Sequence, residues 1–311
     1  MPTRVANDRQ LETIALLDLG SHAARFLLVR IRHGKGFRVL DEERAQTRLG
    51  SGRARALSSR AVHQTLGAAR EFVAHAAARG ATRVVVIATA AVREASNGAH
   101  LLAPLRQVEG TEVRVLSWHE EARLGARAAL GWRALRNGTV IDLGGGSLQV
   151  TRVENGHVLP LVSAPLGVVR TTGRFIRHDP PTEAEIARLQ REVIGELKTT
   201  LTSCPAPLVG LGGTIRALGR IRAAAEGRPG RRERLSLGEL TSLRQALARS
   251  PLHERQRLRG LKADRADVIV AGAVVLETLM VLGGYPALHV CPRGVRHGVL
   301  MDLTFGTESS A

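Results

Sequence analysis

The chain is poor in the features that would stiffen it covalently or tie it to a membrane. Only two of its 311 residues are cysteine. Cys204 and Cys291 lie far apart and without metal-ligand spacing, which argues against a disulfide framework or a thiolate zinc site and for reduced thiols. No apolar run precedes Ile14, so no signal peptide is expected. The longest apolar run, VIVAGAVVL at 268–276, ends at Glu277 and is too short to span a bilayer. It reads as a buried helix, and a cytoplasmic protein is expected. Aromatic residues make up 3% of the chain against 44% hydrophobic residues overall. A core must therefore be built from Ala, Val, Leu and Ile, and little stacking surface remains for nucleic-acid bases.

Lysine is nearly absent too. Three lysines stand against 42 arginines, and the formal net charge is +17. Two readings stay open: a polyanionic partner, or a codon bias favouring Arg and Ala. Arginine is also the better residue for bidentate contacts to phosphate.

Strand and helix signals alternate along the chain. Strands are expected at 13–20, 24–31, 83–89, 113–116, 138–144 and 207–213. Ser117 with Glu120, Thr182 with Glu185 and Ser236 with Glu239 each fit a capping box and open helices running to about 130, 201 and 248. The pattern indicates an α/β class. It also repeats. LLDLGSHAARFLL resembles VIDLGGGSLQV, and VVVIATAAVREA resembles PLVGLGGTIRAL. Asp18 to Arg93 spans 75 positions and Asp142 to Arg216 spans 74. Two motifs in one order at nearly one spacing indicate two similar α/β halves.

The glycines of these motifs invite a chemical reading. A strand, an Asp-x-Gly turn and small residues can bring backbone N–H groups against an anion, because no side chain blocks the approach. Gly144, Gly145, Gly146 and Ser147 would form one such loop, and Gly20 and Ser21 its copy. Taken singly, each could be an ordinary glycine-rich hairpin. Asp18 and Asp142 sit at strand ends beside these turns. They are either ligands for a hard divalent cation or aspartates that bond their own turn. Arg93 follows the second motif and could pair with phosphate oxygens, or lie on the surface. Gly212, Gly213 and Thr214 form the equivalent turn in the second half. In SWHEEARL, Glu120 is committed to the cap. Glu121, turned by about 100° around the helix, is a candidate general base or a solvated helix glutamate.

These motifs resemble the exopolyphosphatase / guanosine-pentaphosphate phosphatase family, a branch of the actin–hexokinase–Hsp70 superfamily with ribonuclease H-like lobes. DLGSHAARFLLV, RLGSG, ATAAVREASNG, EEARLG, DLGGGS, GLGGTIRAL, RADVIVAGAVVLE and RGVRHGVL follow in the family's order. The resemblance implies two similar lobes with an interdomain cleft. It implies hydrolysis of a terminal phosphate from inorganic polyphosphate or guanosine pentaphosphate, assisted by Mg²⁺ or another divalent cation. By the same resemblance, Glu121 and Arg93 are catalytic. Gly20, Ser21, Gly144, Gly145, Gly146 and Ser147 bind phosphate and Asp142 binds metal; the residues themselves add His22, Gly213 and Thr214 as further candidate phosphate contacts and Asp18 as a second candidate metal ligand. The chain departs from the family at His22, Ala23, Leu148, Gln149 and His297. Gln149, where a Glu is usual, keeps a carbonyl acceptor but loses the charge, so it is expected to be a weak metal ligand and no base.

The expected domains are 1–125 joined by a C-terminal helix at 296–311, and 126–295. The expected partners are polyphosphate, guanosine penta- or tetraphosphate and a second copy of the chain as a homodimer, with no membrane and no nucleic acid. The rival class is a polyphosphate or alarmone binder with weakened catalysis. A sugar kinase on the same fold lacks an identifiable adenosine pocket.

Overall fold

A computed structural model describes residues 11–51, 56–202 and 204–306. It resolves into two compact units. The first is the chain up to Leu116 together with the segment from Arg296, and the second is Ser117–Val295. The division falls at Leu116/Ser117, ahead of the 125/126 boundary expected from the sequence. The capped helix that begins after Ser117 thus lies whole in the second unit.

The first unit is built on a five-stranded sheet. Strands β1 (Leu11–Leu19), β2 (Ala24–Arg32) and β3 (Gly36–Ala45) form an antiparallel meander. β4 (Arg83–Ala88) and β5 (Thr111–Val115) extend it in parallel, giving the order β3-β2-β1-β4-β5. β1 and β2 alternate poorly in polarity because both of their faces are covered. Ile14 to Leu17 and Phe26 to Val29 are all buried. Helix α1 (Ser59–Ala78) lays Ala61, Ala68, Ala69, Phe72 and Ala76 on the sheet. Its cap Ser58 accepts from the Ala61 N–H at 3.2 Å. Two short helices, α2 (Ala90–Arg93) and α3 (Gly98–Arg106), lie between β4 and β5.

The second unit repeats this order with six strands. After α4 (Trp118–Trp132) come β6 (Gly138–Leu143), β7 (Leu148–Glu154) and β8 (His157–Ala164), again an antiparallel meander. Helices α5 (Val168–Phe175) and α6 (Glu183–Leu201) precede β9 (Leu208–Leu211), which pairs parallel to β6. Helix α7 (Gly213–Ala225), β10 (Arg234–Ser236), α8 (Leu237–Arg249) and α9 (Leu252–Arg255) follow. Then come α10 (Ile269–Leu282) and β11 (Ala287–Val290). The sheet order is β10-β11-β9-β6-β7-β8. Set against the first unit, β6-β7-β8 matches β1-β2-β3, β9 matches β4 and β11 matches β5. β10 is an addition.

All three capping boxes form, each with the Ser or Thr oxygen accepting from the backbone three residues on and the Glu reaching back. Helix α10 is buried on every side from Ile269 to Met280. Each large side chain there contributes about 1.5–3 kcal/mol by leaving water, so this helix anchors the second core. Among the described residues no helix is long and apolar enough to cross a membrane. Helix α11 (Val295–Phe305) returns to the first unit, where the Gly34 N–H donates to the Thr304 carbonyl at 2.8 Å.

Candidate functional site

The loop joining β6 to β7 is closed by a hydrogen bond from the Gly144 N–H to the Ser147 carbonyl, 3.0 Å. What orients it comes from further along the chain. The Gly144 carbonyl accepts from the Val168 N–H at 3.0 Å. The Gly145 carbonyl accepts from the N–H groups of Val169 and Arg170 at 2.9 and 3.3 Å. These donors are the first turn of α5, whose N–H groups have no partner inside the helix. A trans peptide is planar, with N–H and C=O antiparallel. Tying down the carbonyls of Gly144 and Gly145 therefore turns the N–H groups of Gly145 and Gly146 away from α5. None of the three glycines has left-handed backbone. Their smallness serves close approach instead. A side chain on Gly144 would crowd the Ser147 carbonyl, and one on Gly167, the cap of α5, would overlap the backbone of Gly145 to Ser147.

The β1–β2 loop is built the same way with different parts. The Gly20 N–H donates to the Ala23 carbonyl at 3.3 Å. The Ser21 carbonyl accepts from the Gly50 N–H at 2.8 Å and the His22 carbonyl from the Arg48 N–H at 3.2 Å. The N–H groups of His22 and Ala23 therefore point away from that support. Gly50 is the buttress here, since a methyl on it would lie 2.7 Å from the Ser21 Cβ. Unlike the glycine loop, this one carries side chains. Ser21, His22 and Ala23 are all buried. His22 Nδ1 lies 3.0 Å from an Arg44 guanidinium nitrogen. Guanidinium cannot accept, so in this contact Nδ1 is the acceptor.

The acids separate by role. Glu120 Oε2 accepts from the Ser117 N–H at 2.8 Å and from its hydroxyl at 2.9 Å, which completes the cap. Glu121 is buried in the first turn of α4, and Gly125 lies one turn on along the same face. Gly125 abuts Asp142: its Cβ would stand 3.6 Å from Asp142 Oδ2. Asp142 and Gln149 are cross-strand partners, so their side chains share a face of the sheet. Glu121, Asp142 and Gln149 are thus gathered on the α4 side of the second unit. Gln149 is 2% exposed, and its Nε2 donates to Ser147 Oγ at 2.7 Å and to Ser163 Oγ at 3.3 Å.

Asp18 lies in a different setting. Its carboxylate is 3.9 Å from the buried Arg296 guanidinium, which also donates to Glu42 at 2.9 Å. Burial raises the Glu42 pKa. The Arg296 hydrogen bond and the charges of Arg296, Arg25 and His297 outweigh it and hold the carboxyl below its ordinary value.

The turns after the parallel strands carry the remaining candidate residues of each unit. Arg93 donates to the Leu116 carbonyl at 2.7 Å, and Arg216 donates to the Arg293 carbonyl at 3.1 Å. Each arginine ties the turn after one parallel strand to the segment after the next. Gly212 has φ 111°, which favours glycine, and caps α7 against the Leu143 carbonyl. Any side chain on Gly213 would run into the buried guanidinium of Arg265. Thr214 is buried and packs against α10 at Gly272.

Gly50, Gly167, Arg265 and Arg296 carry no assignment in the sequence reading. Three of them stand inside recognised motifs (RLGSG, RADVIVAGAVVLE and RGVRHGVL), and that was the available signal. Gly167 had only its place before a helix. Asp41, Glu43 and His75 are the one group of three His, Cys, Asp or Glu side chains among the described residues whose ligand atoms come close enough together to hold an ion. The His75 ring nitrogens lie 3.1 Å from the Asp41 carboxylate and 2.7 Å from that of Glu43, and Arg79 forms an ion pair with Asp41.

The sequence profile of the Ppx/GppA phosphatase family matches residues 27–305. Exopolyphosphatase 1 of Mycobacterium tuberculosis is 30% identical over 303 residues, covering 93% of this chain and 87% of the relative. Exopolyphosphatase 2 of the same organism is 30% identical over 316 residues, covering 94% and 99%. Among solved structures, a Ppx/GppA family member from Aquifex aeolicus superposes with TM-score 0.78 at 27% identity, covering 94% of this chain and 97% of that one. An exopolyphosphatase from Cytophaga hutchinsonii gives TM-score 0.87 at 23% identity, covering 96% and 100%, and supports the fold. The two mixed sheets with their helices are the actin/hexokinase-like two-lobe fold of these structures.

Proposed function

The chain belongs to the Ppx/GppA phosphatase family, and from that premise we propose that it is a metal-assisted phosphohydrolase. It releases the terminal phosphate of inorganic polyphosphate, with guanosine pentaphosphate as second substrate. The observation that carries this reading is the anchored Gly144–Ser147 loop, whose carbonyls are consumed by α5 while the N–H groups of Gly145 and Gly146 face the other way. Such donors are preorganised for the charge that builds on phosphoryl oxygens in the transition state. Glu121 is the base that takes a proton from the attacking water. In the first unit, Gly20, Ser21, His22 and Arg93 are a second set of phosphate contacts. Gly213 and Thr214 contribute the first N–H groups of α7.

A divalent cation suits the donor set around Asp142. The carboxylate offers hard oxygen, glycines at 125 and 212 flank it, and the Gln149 side chain lies across the strand pair. When bound, Mg²⁺ neutralises charge on the transferred group. Asp18 suits a cation less, because Arg296 already stands beside it.

The second reading is a polyphosphate or alarmone binder with weak turnover. It is favoured by Gln149, which brings no charge and spends its amide on Ser147 and Ser163. Assaying phosphate release from polyphosphates of defined length, with and without Mg²⁺, separates the two. Mg²⁺-dependent release supports the hydrolase, and tight binding without release supports the binder. In the hydrolase, Gln149→Glu lowers the Mg²⁺ concentration needed for half-maximal rate.

A further inference from the structure

We propose that Gln149 is a positioning residue for Ser147, and that it makes the Ser147 hydroxyl a dedicated donor to phosphoryl oxygen. The inference rests on the phosphate-loop reading above and adds a residue and a polarity to it. Ser147 Oγ is buried at the end of the loop and accepts from Gln149 Nε2 at 2.7 Å. The second Nε2 hydrogen goes to Ser163 Oγ on β8 at 3.3 Å. Ser163 is the cross-strand neighbour of Gln149, so the amide nitrogen is held between two hydroxyl oxygens by strand register. A hydroxyl has one proton and two lone pairs. With a lone pair of Ser147 used by the amide, its own proton has no acceptor among the described residues and remains for a ligand. A phosphoryl oxygen, which only accepts, fits that proton. A carboxylate at position 149 would reverse the polarity. It would accept the Ser147 proton and present the ligand with an oxygen lone pair instead.

The test measures affinity for imidodiphosphate, whose P–N–P link resists hydrolysis, by calorimetry at saturating Mg²⁺. Ser147→Ala and Gln149→Met should each weaken binding by roughly ten- to a hundredfold, the range for a hydrogen bond to a charged group. The double variant should bind no worse than Ser147→Ala alone, because Gln149 acts through Ser147. Gln149→Glu should also weaken binding, although it keeps a hydrogen bond to Ser147. Ser163→Ala, a change at a sheet edge, should weaken binding by a smaller factor and serves if the Gln149 variants fold poorly. Multiplying losses in the double variant, or wild-type affinity in both Gln149→Glu and Ser163→Ala, would overturn the relay while leaving the phosphate loop intact. Failure of the unaltered protein to bind imidodiphosphate would overturn both.

Discussion

The β1–β2 and β6–β7 loops are two solutions to one problem. Both hang between antiparallel strands, both close with an N–H bond across the turn, and both have their carbonyls tied down by a later segment. In the first unit the tie is a single turn around Gly50, and the loop is filled by Ser21, His22 and Ala23. In the second the tie is a true helix N-terminus, and the loop is backbone and Ser147. The first loop thus offers N–H groups framed by buried side chains, with the His22 ring held by Arg44. The second offers bare N–H groups with Glu121, Asp142 and Gln149 gathered near one sheet face. Matching topology has preserved the scaffold of the loop, and the chemistry has become unequal. The arginine ties make the same point, since Arg93 and Arg216 both hold backbone carbonyls in equivalent places.

If chemistry is concentrated in the second unit, Glu121→Gln should lower kcat by about two to four orders of magnitude. Glu120→Gln, one residue away, should cost about 1 kcal/mol of stability and little rate. Equal rate losses in steady-state phosphate release would erase the distinction between the two acids.

The buttresses should differ next. In Gly167→Ala the new methyl meets loop backbone that hydrogen bonds hold in place, so it should destabilise by roughly 1–3 kcal/mol and depress activity. Gly50→Ala meets the Ser21 Cβ at 2.7 Å, a milder overlap, and should do less. Thermal melts and rates of the two variants, measured side by side, check the order. A larger effect at Gly50 would place the weight on the first loop.

The smallest effect concerns acid. The capping boxes formed among the described residues all lie in the second unit. Burial of Glu185 raises its pKa, but bonds from the Thr182 and Arg177 N–H groups and from His178 bring it down to about 2. Glu239 is also lowered, chiefly by the Ser236 N–H. A carboxyl lowered in the fold stabilises fully above its unfolded value. That contribution is lost as pH falls from the unfolded value toward about 2. The second unit should therefore lose on the order of 1–3 kcal/mol over that window, and Glu185→Gln should flatten the dependence. Denaturant melts from pH 5 to 2 measure it. An unchanged slope in the variant would remove the assignment.

Much of this was legible in the chain. The capping boxes were readable because their signal is local, one oxygen and one N–H three residues apart. Helix α10 was readable from its unbroken apolar run, and the repeat from two motifs at one spacing. Strands β3 and β8 were not. Each ends its meander on one side, and their residues (the charged DEER stretch in one, Pro160 in the other) are those that protect sheet edges rather than those that mark strands.

The sequence by itself determined where the loops occur, which residues are small enough to form them, and that two similar halves exist. These depend on short-range sterics and periodicity. Only the tertiary structure decided which way the loop N–H groups face. That is set by Val168 to Arg170 in one unit and by Arg48 and Gly50 in the other, all outside the loops. It also decided that Gln149 addresses Ser147 and Ser163, because β8 must pair with β7 before Ser163 can reach it. Hydrogen-bond direction belongs to the partner as much as to the residue, and the partners arrive only with the fold.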